Sequence, residues 1–212
     1  MHITWYHVNM KEEKFEAIVL RATEFKENSR ILTLFTKEDG LHSLIIRGLK
    51  SGERLTLATP FCQAEYLCRK GNSNLYTFQD GSILDLHLPL RSNLKLLQIA
   101  GQFTQDILKT QLPGKPAPQL YALFSSYLKR ISVFTDLTTA LTSFRLKLMA
   151  HEGYLSWDEE SPLMTQLTLV EKQQAENLCA CKSFQVLQNL FTELSLEKKI
   201  DKMIQNINLY CE

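Results

Sequence analysis

No run of apolar residues in this sequence approaches the roughly 20 needed to span a bilayer as a helix. The opening stretch, MHITWYHVNM, lacks a cationic segment followed by an apolar block, so no secretion signal is read and the protein is expected in the cytoplasm. Met10 is an alternative start, because strand-like patterning begins only after it. Cysteine is scarce and odd in number. Cys62, Cys68, Cys179, Cys181 and Cys211 show no framework spacing, which favours reduced thiols in a reducing compartment over disulfides. Catalytic signatures are missing too: His2, His7, His42, His87 and His151 are scattered, and none shares a local motif with a Ser or Cys nucleophile. There is no GxSxG elbow, no phosphate-cradling glycine loop, no HExxH and no carboxylate cluster suited to metal-assisted hydrolysis, so an enzyme is the least supported class. Internal repeats and low-complexity tracts are absent.

Net charge is nearly absent as well, +1 over 212 residues, so bulk electrostatics does not announce a nucleic-acid binder. The total conceals two opposed regions. From Gly81 to Ala150 eight cations face three acids, and from His151 onward five cations face ten acids, so the chain changes sign near Gly153. With 44% hydrophobic residues the chain can bury one substantial core or two small ones, which excludes a disordered protein.

The first half reads as strands. Glu16 to Thr23 and Ile31 to Thr36 are rich in Ile, Val, Leu, Phe and Thr, and Lys26-Glu27-Asn28-Ser29 between them supplies turn formers. Asp39-Gly40 tolerates the positive φ of a tight reversal, so Leu41 to Arg47 should return antiparallel to the strand before it. Alternation suggests that Ile18, Leu20, Ile31, Thr33, Phe35, Leu44 and Ile46 face inward, while the run Ala17-Ile18-Val19-Leu20 suggests burial on both sides. Gly48 to Arg54 reads as a flexible basic loop whose two glycines oppose strand or helix. Phe61 to Arg69 and Leu75 to Leu84, joined by Lys70 to Asn74, complete five mostly antiparallel strands. That count fits a small barrel such as the OB-fold, and an SH3-like barrel fits it also.

From Leu90 the hydrophobic period changes from two to about 3.6. Helices are predicted over Arg91 to Gln111, over a second segment opened by Pro116-Ala117-Pro118 with Leu120, Phe124, Tyr127 and Ile131 inward, and over Leu137 to Glu152, capped by Asp136 and stopped by Gly153. Shorter helices follow at about Thr168 to Cys181, Ser183 to Leu194 and Leu196 to Leu209. The fold class is therefore α+β, a five-stranded antiparallel barrel over residues 1–85, with residues 1–14 as an extension, followed by an α-helical domain over 86–212.

The stretch EAIVLRATEFKENSRILTLFTKEDGLHSLIIRGLKS resembles the RecO family of bacterial recombination mediators. Glu16-Ala17, Val19-Leu20-Arg21, Glu27, Arg30, Leu34-Phe35-Thr36, Gly40 and Arg47-Gly48 fall into the family's pattern in order, and Pro60-Phe61, Leu94 to Ile107 and FRLKLMAHEGY at Phe144 to Tyr154 look like their counterparts. The resemblance implies an OB-fold before a helical domain, and no catalytic turnover. It also implies binding and annealing of single- and double-stranded DNA, work with RecR, contact with the C-terminal tail of single-strand-binding protein, and indirect help to RecA in DNA repair. A nucleoid-associated cytoplasmic location goes with it. The sequence departs from the family in two respects. Gly153 to Leu178 lacks the zinc-binding cysteines of many relatives, and Cys179-Ala180-Cys181 is one pair at too short a spacing, so no metal or other cofactor is expected. The loop after Arg47-Gly48 keeps only Lys50 and Arg54 where relatives are richer in arginine.

Arg21, Arg30, Arg47, Lys50, Arg54, Arg69 and Lys70 are the expected phosphate contacts, with Phe25 and Tyr76 as exposed rings for base stacking. Singly, each cation reads as an ordinary solvated charge and each ring as core; as a set on one barrel they say more. In the helical half Lys129, Arg130, Arg145 and Lys147, with Arg91, are expected to frame a groove for the acidic, hydrophobic tail. The rival reading is a noncatalytic helical adaptor whose barrel binds protein or RNA.

Overall fold

The computed structural model describes residues 12–50, 52–71 and 74–207. The proposed start at Met10, Cys211 and the tip of the last expected hairpin at residues 72–73 lie outside the described residues. Contacts divide the chain into two units, one running to Leu86 and including Pro113–Pro118, the other comprising His87–Leu112 and Gln119 onward.

In the first unit five strands close a barrel: β1 (Glu12–Glu24), β2 (Ser29–Thr36), β3 (Gly40–Arg47), β4 (Gln63–Lys70) and β5 (Leu75–Asp85), in the order β1-β2-β3-β5-β4, with β1 and β4 closing the ring. All pairs are antiparallel except β3 with β5, which run parallel over Ser43–Ile45 and Leu75–Thr77. A short helix α1 (Glu53–Leu57) lies between β3 and β4. This is the OB-fold, and it excludes the SH3-like alternative. The 48–54 stretch was expected to stay irregular. Gly52 instead takes φ +83° just ahead of α1, and Glu53 sits at its positive end, so the glycine starts the helix rather than preventing it.

The barrel interior is built from Ala17 and Val19 on β1, Leu32 and Leu34 on β2, Leu44 and Ile46 on β3, and Ala64, Tyr66 and Cys68 on β4. The β3 assignment agrees with the alternation read above, but β1 and β2 are in the opposite phase: Ile18, Ile31, Thr33 and Phe35 lie on the outward rows. Ile18 and Phe35 are nonetheless fully buried, so both faces are apolar there and alternation carries no phase information. A register shift between Val19 and Arg21 leaves Leu20 as an extra residue, which turns Arg21 outward and Ala22 back toward the core.

The Asp39-Gly40 reversal forms as expected. The Asp39 N–H donates to Thr36 Oγ1 at 3.1 Å, and Gly40 takes φ +73°. A Cβ at Gly40 would overlap the Lys115 carbonyl, because Pro113–Pro118 returns to the barrel: Gly114 N–H donates to the Leu41 carbonyl at 3.2 Å, beside a bridge between Leu41 and Pro113.

In the second unit, α2 (Leu88–Arg91) precedes α3 (Leu94–Thr110), followed by α4 (Pro118–Arg130), α5 (Leu137–Glu152), α6 (Leu169–Ala180), α7 (Phe184–Leu187) and α8 (Leu194–Ile207). Local chemistry sets several ends. Asp136 accepts from the Thr138 N–H at 3.0 Å to start α5, and Gly153 ends it at φ +77°. Thr168 and Glu171 cap α6 reciprocally. The expected helix from Ser183 to Leu194 is only the single turn α7. Central α5 packs on α3, α6 and α8, with Phe144 4.3 Å from the Phe103 ring centre and 5.3 Å from that of Tyr127.

Candidate nucleic-acid interface

Strand register places the outward side chains in rows. Arg21, Thr33 and Ser43 are direct neighbours across β1, β2 and β3, and Thr23, Ile31, Ile45, Thr77 and Arg69 form the next row across all five strands. Arg69 is therefore two strands from Ile45, roughly 10 Å at the usual strand spacing. Arg47 lies two residues beyond Ile45 on β3. The outward face of β2 and β3 is thus bounded by Arg21 on one side, Arg47 at the end and Arg69 on the other side.

The loops continue this border. The Leu49 N–H donates to the Asn28 carbonyl at 3.0 Å, which ties the segment after β3 to the β1–β2 turn, where Lys26 and Asn28 are both at positive φ. Arg54 donates to the Arg47 carbonyl at 3.3 Å and stands 5.7 Å from the Phe78 ring centre, so its guanidinium is held beside Arg47. Arg30, half-buried on an inward row, donates to the Ala58 carbonyl at 3.5 Å and closes the end of the barrel. Beside it Glu24, Lys26, Glu27 and Asn28 line a hollow of about 270 Å³. Its charge is mixed. Even so, among the described residues Arg21, Arg30, Arg47, Lys50 and Arg54 form no ion pair, and all but Arg30 are exposed.

The remaining residues of the expected set behave differently. Arg69 is partly engaged by Glu12 at 3.4 Å. Phe25 is 39% exposed with the Lys26 ammonium 5.6 Å from its ring centre, a surface ring next to a cation. Tyr76, expected exposed, is 4% exposed: its ring packs edge-on against Phe15, and its hydroxyl donates to Glu13 at 2.8 Å. Burial and that carboxylate push its phenol up to about 12. It is not an exposed stacking ring, because the strand phase turns it inward. Lys70, whose ammonium is 5.6 Å from the Tyr76 ring centre, is exposed beside it.

In the helical unit the expected cationic groove does not form. Arg145 is inside, its Nε donating to Asp106 at 2.8 Å and its Nη1 paired with Asp201 at 2.8 Å. Lys147 donates to the Cys181 carbonyl at 2.6 Å and the Tyr127 hydroxyl at 3.2 Å, and burial lowers its ammonium from the ordinary lysine value. The cause is α5 itself, which is surrounded by three helices and has little solvent face for charges. Of that set Arg91, at the end of α2, and Lys129 and Arg130, at the end of α4, are exposed, and Arg130 stacks 5.2 Å from the Phe184 ring centre. Sequence patterning missed the internal acids Asp106 and Glu171 and their partners. No group of three or more His, Cys, Asp or Glu among the described residues is placed to hold a metal ion.

Comparison with known proteins matches residues 10–87 to the family model described as "Recombination protein O N terminal". Similar proteins include the DNA repair protein RecO of Bacillus pumilus, 31% identical over 142 residues that make up 66% of this chain and 55% of that protein. The RecO of Geobacter metallireducens is 31% identical over 150 residues, 68% of this chain and 60% of the relative. That of Chlamydia pneumoniae is 28% identical over 193 residues, covering 90% and 74%. The chain thus spans little more than half the length of the first two.

Proposed function

Since the chain belongs to the RecO family, with that family's N-terminal domain over residues 10–87, we propose that it is a noncatalytic DNA-repair and recombination mediator whose barrel follows the backbone of single- and double-stranded DNA. The observation that carries this reading is the outward β2–β3 face bordered by exposed cations, Arg21, Arg47, Lys50 and Arg54, that form no ion pair among the described residues. OB-folds bind oligonucleotides on that face and on the β1–β2 and β4–β5 loops. Each phosphate met by one of these side chains releases condensed counterions, which supplies sequence-independent affinity. A surface that holds two strands without reading bases favours their annealing. Work with RecR, capture of the tail of single-strand-binding protein, and help to RecA on covered DNA complete the proposal, in a nucleoid-associated cytoplasmic setting. No helix among the described residues is long and apolar enough to cross a membrane. For the tail, Lys129 and Arg130 beside Phe184 are the remaining candidates, Arg145 and Lys147 being internal.

The test is annealing of complementary oligonucleotides with and without the protein. Acceleration supports the mediator. No acceleration, together with no salt-dependent retention on single-stranded DNA, favours a helical adaptor whose barrel binds protein or RNA.

A further inference from the structure

Strands β3 and β5 are bonded only over Ser43–Ile45 and Leu75–Thr77, so below Ser43 the barrel wall opens. The returning segment at Pro113 and Gly114 borders this gap without filling it, leaving a cavity of about 400 Å³ that is continuous with the outward row at Thr33 and Ser43. That volume is ample for one nucleobase. At its rim stands Lys70, and His42 lines its wall. The His42 ring is held rigidly, stacked 5.6 Å from Phe15 and edge-on 5.1 Å from Tyr76. Its Nε2 is buried and has no hydrogen-bond partner among the described residues, an uncommon expense in a folded protein.

Among the described residues no carboxylate lines the cavity. Two act on His42 electrostatically without lining the cavity: Asp39, and Glu13, which accepts from the Tyr76 hydroxyl at 2.8 Å. A phosphate deep in the cavity would meet their field, whereas a neutral heterocycle would not. We infer that this gap in the barrel wall is a base pocket, taking one unstacked nucleobase of a bound single strand with a polar edge toward His42 Nε2 and the adjoining phosphate at Lys70. The inference rests on the DNA reading above and extends it, for it makes the barrel a reader of single strands at one nucleotide, since a paired base cannot enter. Burial holds the imidazole neutral by lowering it from its ordinary value, so Nε2 can meet a base edge without competing for phosphate.

The test uses a short oligothymidylate in which a single 2-aminopurine is moved along the strand, read by its fluorescence and by anisotropy of the whole oligonucleotide. One position should show a several-fold change in fluorescence on binding. Ser43→Leu, which fills the mouth, should return that position to the behaviour of its neighbours and weaken binding by about tenfold, the order expected for one lost base contact, with the salt dependence retained. His42→Phe keeps the ring packing and removes Nε2; it should weaken binding in the same direction, and its retained salt dependence reports that the barrel is intact. If the wild-type oligonucleotide binds with a salt dependence but no position is distinctive, or if both variants leave the distinctive position unchanged, the pocket is overturned while DNA binding stands. If the wild-type protein shows no salt-dependent binding at all, the DNA reading falls and the pocket with it.

Discussion

Arg145 Nε donates to Asp106 Oδ2 at 2.8 Å with 4% and 2% of the two side chains left exposed, so a full ion pair is sealed between α5 and α3. Burial lifts the Asp106 carboxyl, and the guanidinium works against that lift. Removing the acid leaves the buried cation with only the half-exposed Asp201 as partner. Asp106→Ala should cost about 3–5 kcal/mol in urea unfolding, the usual penalty for breaking a buried pair. Asp201→Ala removes the 42%-exposed partner of the same arginine and should cost markedly less. Equal losses would mean that Arg145 is not desolvated as described.

Glu171 connects α6 to α8 through Lys199 at 2.7 Å. Burial alone would raise its carboxyl, but the Lys199 ammonium and the Thr168 N–H more than offset that and hold it at about 2. A depressed acid contributes stability above its unfolded value, near 4.5, and loses it as pH falls toward about 2. Glu171→Gln should therefore destabilise at pH 7, with the difference from wild type shrinking across that acid window. A difference independent of pH would leave the cap, not the charge, as the source.

Gly40 and Gly52 are both at positive φ, +73° and +83°, but of the two only Gly40 faces a neighbour, the Lys115 carbonyl. Alanine at either site costs about 1–3 kcal/mol for a backbone conformation that side chains rarely adopt. Gly40→Ala must also displace the 113–118 segment, so its Tm should fall by roughly 4 °C or more, and by more than that of Gly52→Ala. Matching losses would remove the returning segment from the barrel's stability.

For partner capture, Lys129→Ala with Arg130→Ala should weaken binding of an acidic tail peptide of single-strand-binding protein at least several-fold by fluorescence anisotropy, as expected for exposed charges that steer and hold an acidic ligand. Unchanged affinity would take the end of α4 out of that role.

The order of elements was legible wherever one or two residues decide a boundary by their own chemistry: Asp39-Gly40 at the β2–β3 reversal, Asp136 and Gly153 at the ends of α5, Thr168 ahead of α6. The phase of β1 and β2 was not, because Ile18 and Phe35 are as buried as Ala17 and Leu34, and the bulge at Leu20 resets the alternation without a glycine to mark it. The exposure of Arg21, Arg47, Lys50, Arg54 and Lys70 was legible because a charged side chain needs only solvent, whereas Arg30 is half-buried and Arg69 engaged by Glu12. Arg145 and Lys147 were misplaced because their partners lie far along the chain, Asp106 being 39 residues away and the Cys181 carbonyl 34. Tyr76 went the same way, its ring flanking a turn in sequence yet buried against Phe15 in space. The cavity beside His42 left no signal at all, since it exists only where two strands that pair in parallel part company.

The central claim, that exposed cations around the β2–β3 face meet phosphates, is tested most directly by the salt dependence of oligothymidylate binding in wild type and in the Arg47→Ala, Lys50→Ala double variant. Two lost contacts should flatten the log–log slope by roughly 1.4, at about 0.7 per phosphate on a single strand. A slope that does not change would contradict it.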